Sequence, residues 1–450
     1  MCGSYTYDAQ GHLKTTLVNN NTLTTITVVH DLASNKTRIT DPDAGVIDFA
    51  YNGFGELRKQ TWQPDLTGHT KSITYTYDDL GRKTHRIDQP ASGNATSYSW
   101  VWDAPGQLGL LSSQSGNGYS ENYTYDPLSR VQTQTTSITG LAGGKVFTYG
   151  YDSFSRPATT TYPNGLTITR DYQASGMHVR TRDVTGSTDN TLWVLGKQQN
   201  NRGQLTHALY GNGVVTAHTY TDSNGRLASI TSGRLTASNT LNSLNGDIQA
   251  LSYEFDSLGN LRSRTTKRSD NNGLAFENTT ERFAYDKLNR VTASTTSGLG
   301  LFNRSLDYQY DDLGNLTYRS DTGALAYNRT GNAGVHAVTS SGTSGTPDYK
   351  TYAYDRYGNM TSRGGETISY DVFNKPLTIN GSNGTSSFSY GPNHERFKQI
   401  TGGKTTYVIN GGAYEEIVDN NTGTVTQKSY VDGFMVQTKT GTTTDITVSA

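Results

Sequence analysis

The chain is predicted to be all-β, made of tandem β-hairpins that pair edge to edge in a long antiparallel sheet. Three observations carry this. A short frame, Tyr-Asp-x-x-Gly-Arg, returns along almost the whole of the 450 residues. Between its copies Thr and apolar residues alternate, and period two puts successive side chains on opposite faces of a strand. No stretch shows the period of an amphipathic helix.

The frame is clearest at Tyr75-Thr-Tyr-Asp-Asp-Leu-Gly-Arg-Lys-Thr84. Asp78 to Gly81 reads as a turn. Asp at its first position hydrogen-bonds backbone N–H groups further on. Gly81 suits the left-handed residue that follows a type I turn in a short hairpin connection. Tyr75 and Tyr77 share one face of the incoming strand, and Thr74 and Thr76 share the other. One hairpin is marginal in water, so the copies must pair with one another. The residues singled out are therefore structural: Tyr77, Asp78, Gly81 and Arg82 here, and their counterparts Tyr310, Asp311, Gly314, Tyr354, Asp355 and Gly358.

In order, the copies begin at Tyr7-Asp8-x-x-Gly11, and a degenerate one follows at His30-Asp31 with Asn35 read into the glycine slot. Asp41-Pro-Asp-Ala-Gly45 and Asn52-Gly-Phe-Gly55 flank a strand over 46–51. Trp102-Asp103-Ala-Pro-Gly106 keeps the frame with Trp for Tyr, and the units at Tyr125 and Tyr151 put Ser129 and Ser155 where Gly is expected. Tyr162-Pro-Asn164-Gly165 and Tyr210-Gly-Asn212-Gly213 are a second turn type. Tyr172 with Gly176, Asn200 with Gly203 and Asp222 with Gly225 carry the frame to Phe255, Tyr285, Tyr310, Tyr327, Tyr354, Tyr370 and Tyr390. About seventeen copies at roughly twenty-residue spacing make a repeat architecture. Two stretches interrupt it, 231–248 and the Gly/Ser/Thr-rich 340–347, and both read as loops.

Composition agrees. Hydrophobic residues are only 32%, yet there are 30 Tyr and 49 Gly against 10 Pro, which is not the signature of a disordered chain. Net charge is −1 with both signs dispersed, so nucleic acid is not an expected partner. No apolar run is long enough for a membrane span. Cys2 is the only cysteine, which excludes an intramolecular disulfide. The start, Met-Cys-Gly-Ser-Tyr-Thr-Tyr-Asp, has no signal-peptide regions and reads as a chain begun inside a longer array.

These residues are similar to the YD-repeat (Rhs) family, whose signature is the Tyr-Asp-x-x-Gly-Arg-Leu frame. His336-Ala-Val-Thr339, Tyr390-Gly-Pro-Asn-His-Glu-Arg396 and Tyr407-Val-Ile-Asn-Gly-Gly-Ala-Tyr-Glu415 resemble the stretches near the end of the family's repeat region. The resemblance implies a β-sheet spiralling into a hollow shell, closed or an open part of one. In bacterial members the shell encloses a C-terminal toxin domain, and insecticidal toxin-complex components and teneurins share it. It divides the chain into a repeat array, 1–391, and C-terminal strands continuing the same shell, 392–450, truncated before the family's core motif. The Asp-Pro-x-Gly motif of aspartyl self-cleavage is missing there, and Asp41-Pro-Asp-Ala-Gly45 opens an ordinary repeat.

No catalytic residue, cofactor site or metal site is expected. The nine His are dispersed without zinc-site spacing, and no Gly-rich phosphate loop is present. One carboxylate per turn is too few for calcium. The reading is thus a non-enzymatic shell segment that encapsulates or presents a polypeptide such as a toxin domain, with a protein guest or other shell segments as partners. A secreted or cell-surface location follows from the family. Two alternatives stand beside it: a carbohydrate-binding repeat module using its Tyr faces, and a fragment of an autoproteolytic toxin precursor.

Overall fold

Most copies of the frame close a tight hairpin, and each hairpin hands its second strand to the next. The computed structural model describes residues 3–63, 70–104, 106–186, 191–234, 248–269, 275–298 and 303–448. Among them are 39 strands, and the described helical turns are two 3-10 turns of three residues each. Every strand pairs antiparallel with the next in sequence, from Gly3–Tyr7 with Leu13–Val18 to Met435–Thr440 with Thr443–Val448. The result is a strip in which sequence order is spatial order.

Because the turns alternate sides, the strip has two different edges. One carries the Asp turns, such as 78–82, 126–130 and 311–315. The other carries the intervening turns, such as 42–44, 117–118 and 162–166. The two faces also differ. On Lys71–Tyr77, Lys71 and Ile73 are buried on the tyrosine face, while Thr76 on the opposite face is exposed. Hydroxyls pair across strands on that exposed face, as in Thr76 with Thr84 at 3.2 Å and Thr426 with Thr440 at 3.0 Å.

The strip returns onto itself. Side chains of the first round meet residues 262 to 306 positions later: Arg170 meets Asp432, Tyr162 meets Tyr430, and Arg86 meets Pro392. In each case the intervening-turn side of the first round meets the Asp-turn edge of the second. The apolar core lies along this seam. Its larger cluster joins Tyr119, Ile138, Phe147, Tyr162, Leu166 and Ile168 to Phe397, Tyr407, Ile409, Tyr414, Val431, Phe434 and Met435. A smaller one joins Trp62 and Ile73 to Val372. With few aliphatics available, the burial is concentrated where two rounds touch.

Five readings need correction. The Tyr327 copy closes no tight turn: it opens the loop 327–339, where Asn328 N–H donates to Thr339 Oγ1 at 3.2 Å. In the His30 unit the left-handed residue is Ser34 (φ 68°), not Asn35. Asn35 stands in the arginine slot and donates its amide to Asp31 at 3.2 Å. At Trp102 the frame does not hold: Asp103 itself is left-handed (φ 61°), and the loop runs on until Leu111 begins the next strand. Ser340–Ser341 is a short strand, because its backbone bridges Leu325–Ala326 and Lys350–Thr351. Residues 231–234 extend the strand Leu227–Arg234, paired with Val214–Ala217, and 235–247 lie outside the described residues.

Candidate functional site: the repeat joint and the seam

The joint between units explains the frame. At Asp78, Oδ1 accepts from Leu80 N–H (3.0 Å) and Arg82 N–H (2.9 Å), and Oδ2 accepts from Arg82 Nε (2.7 Å). Gly81 has φ 77°, and its N–H donates to Asp78 O at 3.0 Å. Tyr77 opposes Lys83 with a register shift, a β-bulge that leaves Thr84 as the extra residue. The carbonyl at the position after the arginine then receives a donor from the following unit: Leu57 O from Tyr77 Oη at 2.8 Å, and Lys83 O from Trp102 Nε1 at 3.0 Å.

The same joint recurs. Tyr310 Oη donates to Val291 O at 2.9 Å, and Tyr354 Oη donates to Val338 O at 2.8 Å at the end of the longer loop that precedes it. Asp311 caps Leu313 and Asn315, Asp355 caps Tyr357 and Asn359, and Gly314 and Gly358 have φ 90° and 81°. A β-carbon on Gly358 would also lie 2.8 Å from the Asp43 carbonyl across the seam, so this glycine serves both turn and docking. The arginine completes the joint by lying over the next unit's ring: Arg82 over Trp102, Arg130 over Tyr151, Arg156 over Tyr172, Arg290 over Tyr310. The Arg130 side chain and its N–H hold the Asp126 carboxyl below the usual carboxylate range. Repeat tyrosines thus pack and donate to backbone.

The seam is buried and polar at once. Arg86, 1% exposed, donates to both Asp88 oxygens (2.8 and 3.0 Å) and to Pro392 O (2.6 Å), and lies over Tyr98 and Phe373. Buried Lys71 donates to Asn374 and sits 4.1 Å from the Tyr357 ring centre. Burial pushes Lys71 down to about 8 and His394 down to about 4, and pushes Asp88, Asp371 and Glu395 up. Buried Glu121 accepts from Gln114 (2.6 Å), Gln134 (2.8 Å), Tyr119 and Tyr123. Sequence reasoning found the joint residues but missed Arg86, Lys71 and Glu121, which lie between frames: Arg86 reaches Pro392 and Lys71 reaches Asn374 only through the return of the strip, while Glu121 is satisfied by the strands beside it.

The Asp-turn edge shows what docking does. In the first round its tips are exposed: Leu32 94%, Phe54 92%, Leu80 75% and Phe154 77%. In the second round Val372, in the slot of Leu32, is 4% exposed against Ile73 and Trp62, and Phe373, in the slot of Leu80, is partly buried against the same cluster.

No family model matches the chain. The strip superposes on crystal structures of the TcdB2–TccC3 complex, with TM-score 0.75 for the form with Cdc42 and 0.74 for the form without the hypervariable C-terminal region. In both, the match covers 98% of this chain at 14–15% identity. This is a YD-repeat shell fold. The same YD-repeat wall is matched at TM-score 0.72 in the Photorhabdus luminescens Tc holotoxin pore. Two curated YD-repeat relatives are similar in sequence. The tRNA3(Ser)-specific nuclease WapA of Bacillus spizizenii is 26% identical over 207 residues, 43% of this chain. The tRNA nuclease WapA of Bacillus subtilis is 27% identical over 146 residues, 30% of this chain. The chain spans 24% of the length of the solved chains and 8% and 6% of the two WapA proteins.

Proposed function

We propose that this YD-repeat chain is a wall segment of a hollow shell that holds a polypeptide guest, such as a toxin domain, and has no catalytic role of its own. The observation that carries the reading is the return of the strip onto itself after 262 to 306 residues, since a strip that closes a round encloses space. Roughly two dozen strands per round at ~4.8 Å spacing make a bore of about 35 Å before side chains are counted. That is room for a compact small domain or an unfolded chain. The wall runs through residues 1–391 and continues in the same sheet through 392–450; the strand pairing up to Val448 supports this.

The naming of the similar proteins as toxin complexes and nucleases supports a toxin-associated, secreted or cell-surface setting. The exposed Leu and Phe tips of the first round support a second partner: another strip of the same kind, docked as the second round docks on the first. The carbohydrate reading gains nothing from the joint, where repeat rings are covered by arginine and their hydroxyls are engaged by backbone.

Small-angle X-ray scattering with a solution mass tests the reading. A monomer whose distance distribution is weighted to its periphery is expected. An extended particle with no second-round contact would sink it.

A further inference from the structure

The first joint of the array departs from the others in a chemically specific way. In the ordinary joint a carboxylate, an arginine and the next unit's aromatic ring come together, as in Asp126–Arg130–Tyr151 and Asp286–Arg290–Tyr310. The corresponding slots here are Asp8, His12 and His30. Arginine and tyrosine are both replaced by histidine, in the two slots that touch. Asp8 keeps its turn role, with Oδ1 accepting from Gln10 N–H and His12 N–H at 2.9 Å each. Its Oδ2 lies 3.1 Å from His12 Nδ1, and the two imidazoles face each other at 4.8 Å between centres. One ligand atom from each of the three residues lies within 4.8 Å of the others, and all three side chains are half-buried.

We propose that Asp8, His12 and His30 form a binding site for a borderline divalent transition ion of the zinc class, which clips the first repeat to the second. Without an ion this joint lacks the guanidinium–carboxylate pair and the cation over the ring that the Arg130 and Arg290 joints have, and His30 has no hydroxyl for the preceding carbonyl. Two imidazoles and a carboxylate are the nitrogen and oxygen donors that zinc, cobalt(II) and nickel(II) take. Metal–ligand bonds of ~2.0–2.2 Å in a tetrahedron put neighbouring donors about 3.3 Å apart. Asp8 and His12 already stand near that separation, and a turn of the His30 side chain closes the rest. The backbone N–H groups on Asp8 Oδ1 hold the carboxylate so that Oδ2 faces the histidines, the outer-shell support a metal ligand needs. Three protein ligands leave the fourth position to water.

The test is titration of the metal-stripped full chain with zinc by calorimetry, and with cobalt(II) by visible absorption. About one ion per chain and the intense bands of tetrahedral cobalt are expected. The informative variant is the double His12→Arg with His30→Tyr, which rebuilds the ordinary joint. It is expected to fold, to lose the cobalt bands and to lose the rise in melting temperature that zinc gives the wild type. Asp8→Asn keeps the turn, since Asn52 and Asn200 occupy that slot in other units. It is expected to weaken zinc binding tenfold or more. Zinc binding that persists unchanged in the rebuilt variant, or cobalt that stays octahedral in the wild type, would overturn the site.

Discussion

Replacing Arg86 by Met tests whether the seam is held by desolvated polar contacts. The substitution keeps an apolar stem against Tyr98 and Phe373 but leaves Asp88, 7% exposed, without its partner, and Pro392 O without its donor. Breaking a buried pair by removing one partner costs about 3–5 kcal/mol. Asp88 can escape by taking a proton. Neutralising a carboxyl of ordinary pKa costs about 4 kcal/mol at pH 7 but only about 1.5 at pH 5. Burial already pushes the Asp88 carboxyl up, against the pull of Arg86, so this route is open. The deficit of Arg86→Met should therefore be near 4 kcal/mol at pH 7 and shrink by about 2 kcal/mol at pH 5. Adding Asp88→Leu should restore most of the loss, because two apolar groups leave no orphaned charge. Repeat arrays need not unfold in one step, so the readout is hydrogen exchange of the seam amides around 86–88 and 391–395, alongside a urea melt. A deficit below about 1 kcal/mol at pH 7, or a double variant as unstable as the single, would refute the argument.

Two further outcomes follow from the turns and the seam. Gly81→Val should destabilise by about 1–3 kcal/mol in denaturant melts through its left-handed backbone. Its β-carbon would meet only the movable end of Glu56, so the cost lies in the backbone. Gly81→Asn should be far milder, since Asn289 and Asn374 hold φ 60° and 63° at the same position. Equal effects would mean that the turn conformation is not what selects glycine. The third concerns acid. Burial first, then Arg86, lowers His394 to about 4, so the folded state keeps it neutral. Its stability is then present above the ordinary histidine pKa of 6.5 and is lost as pH falls towards about 4. Wild-type melting temperature should fall more steeply over that window than that of His394→Asn; parallel curves would count against the buried, neutral imidazole.

The joint was largely legible because its chemistry is local. Asp78, Gly81 and Arg82 lie within five residues, and an Asp cap, a left-handed glycine and a hairpin follow from that spacing alone. One error fell where a slot could be counted two ways. At His30-Asp31 both Ser34 and Asn35 tolerate turn geometry, and only the backbone shows that Ser34 is left-handed and that Asn35 replaces the arginine. The tyrosine hydroxyl's acceptor was half legible. A polar tip must find a partner, but that the partner is the carbonyl beside the preceding unit's bulge depends on how hairpins are laid side by side.

By itself the sequence determined the strand, the turn, the alternation of faces and the serial pairing of hairpins. Each of these is decided by residues a few positions apart and by the two-residue period of a strand. Only the tertiary structure decided where the core is. Tyr119 and Phe397, Ile73 and Val372, and Arg86 and Pro392 meet because the strip closes a round. The length of that round is set by twist and curvature accumulated over many strands, and no local pattern encodes it. The clustering of Asp8, His12 and His30 lies between these limits: the slots are in the repeat, but that they touch across units is a fact of packing.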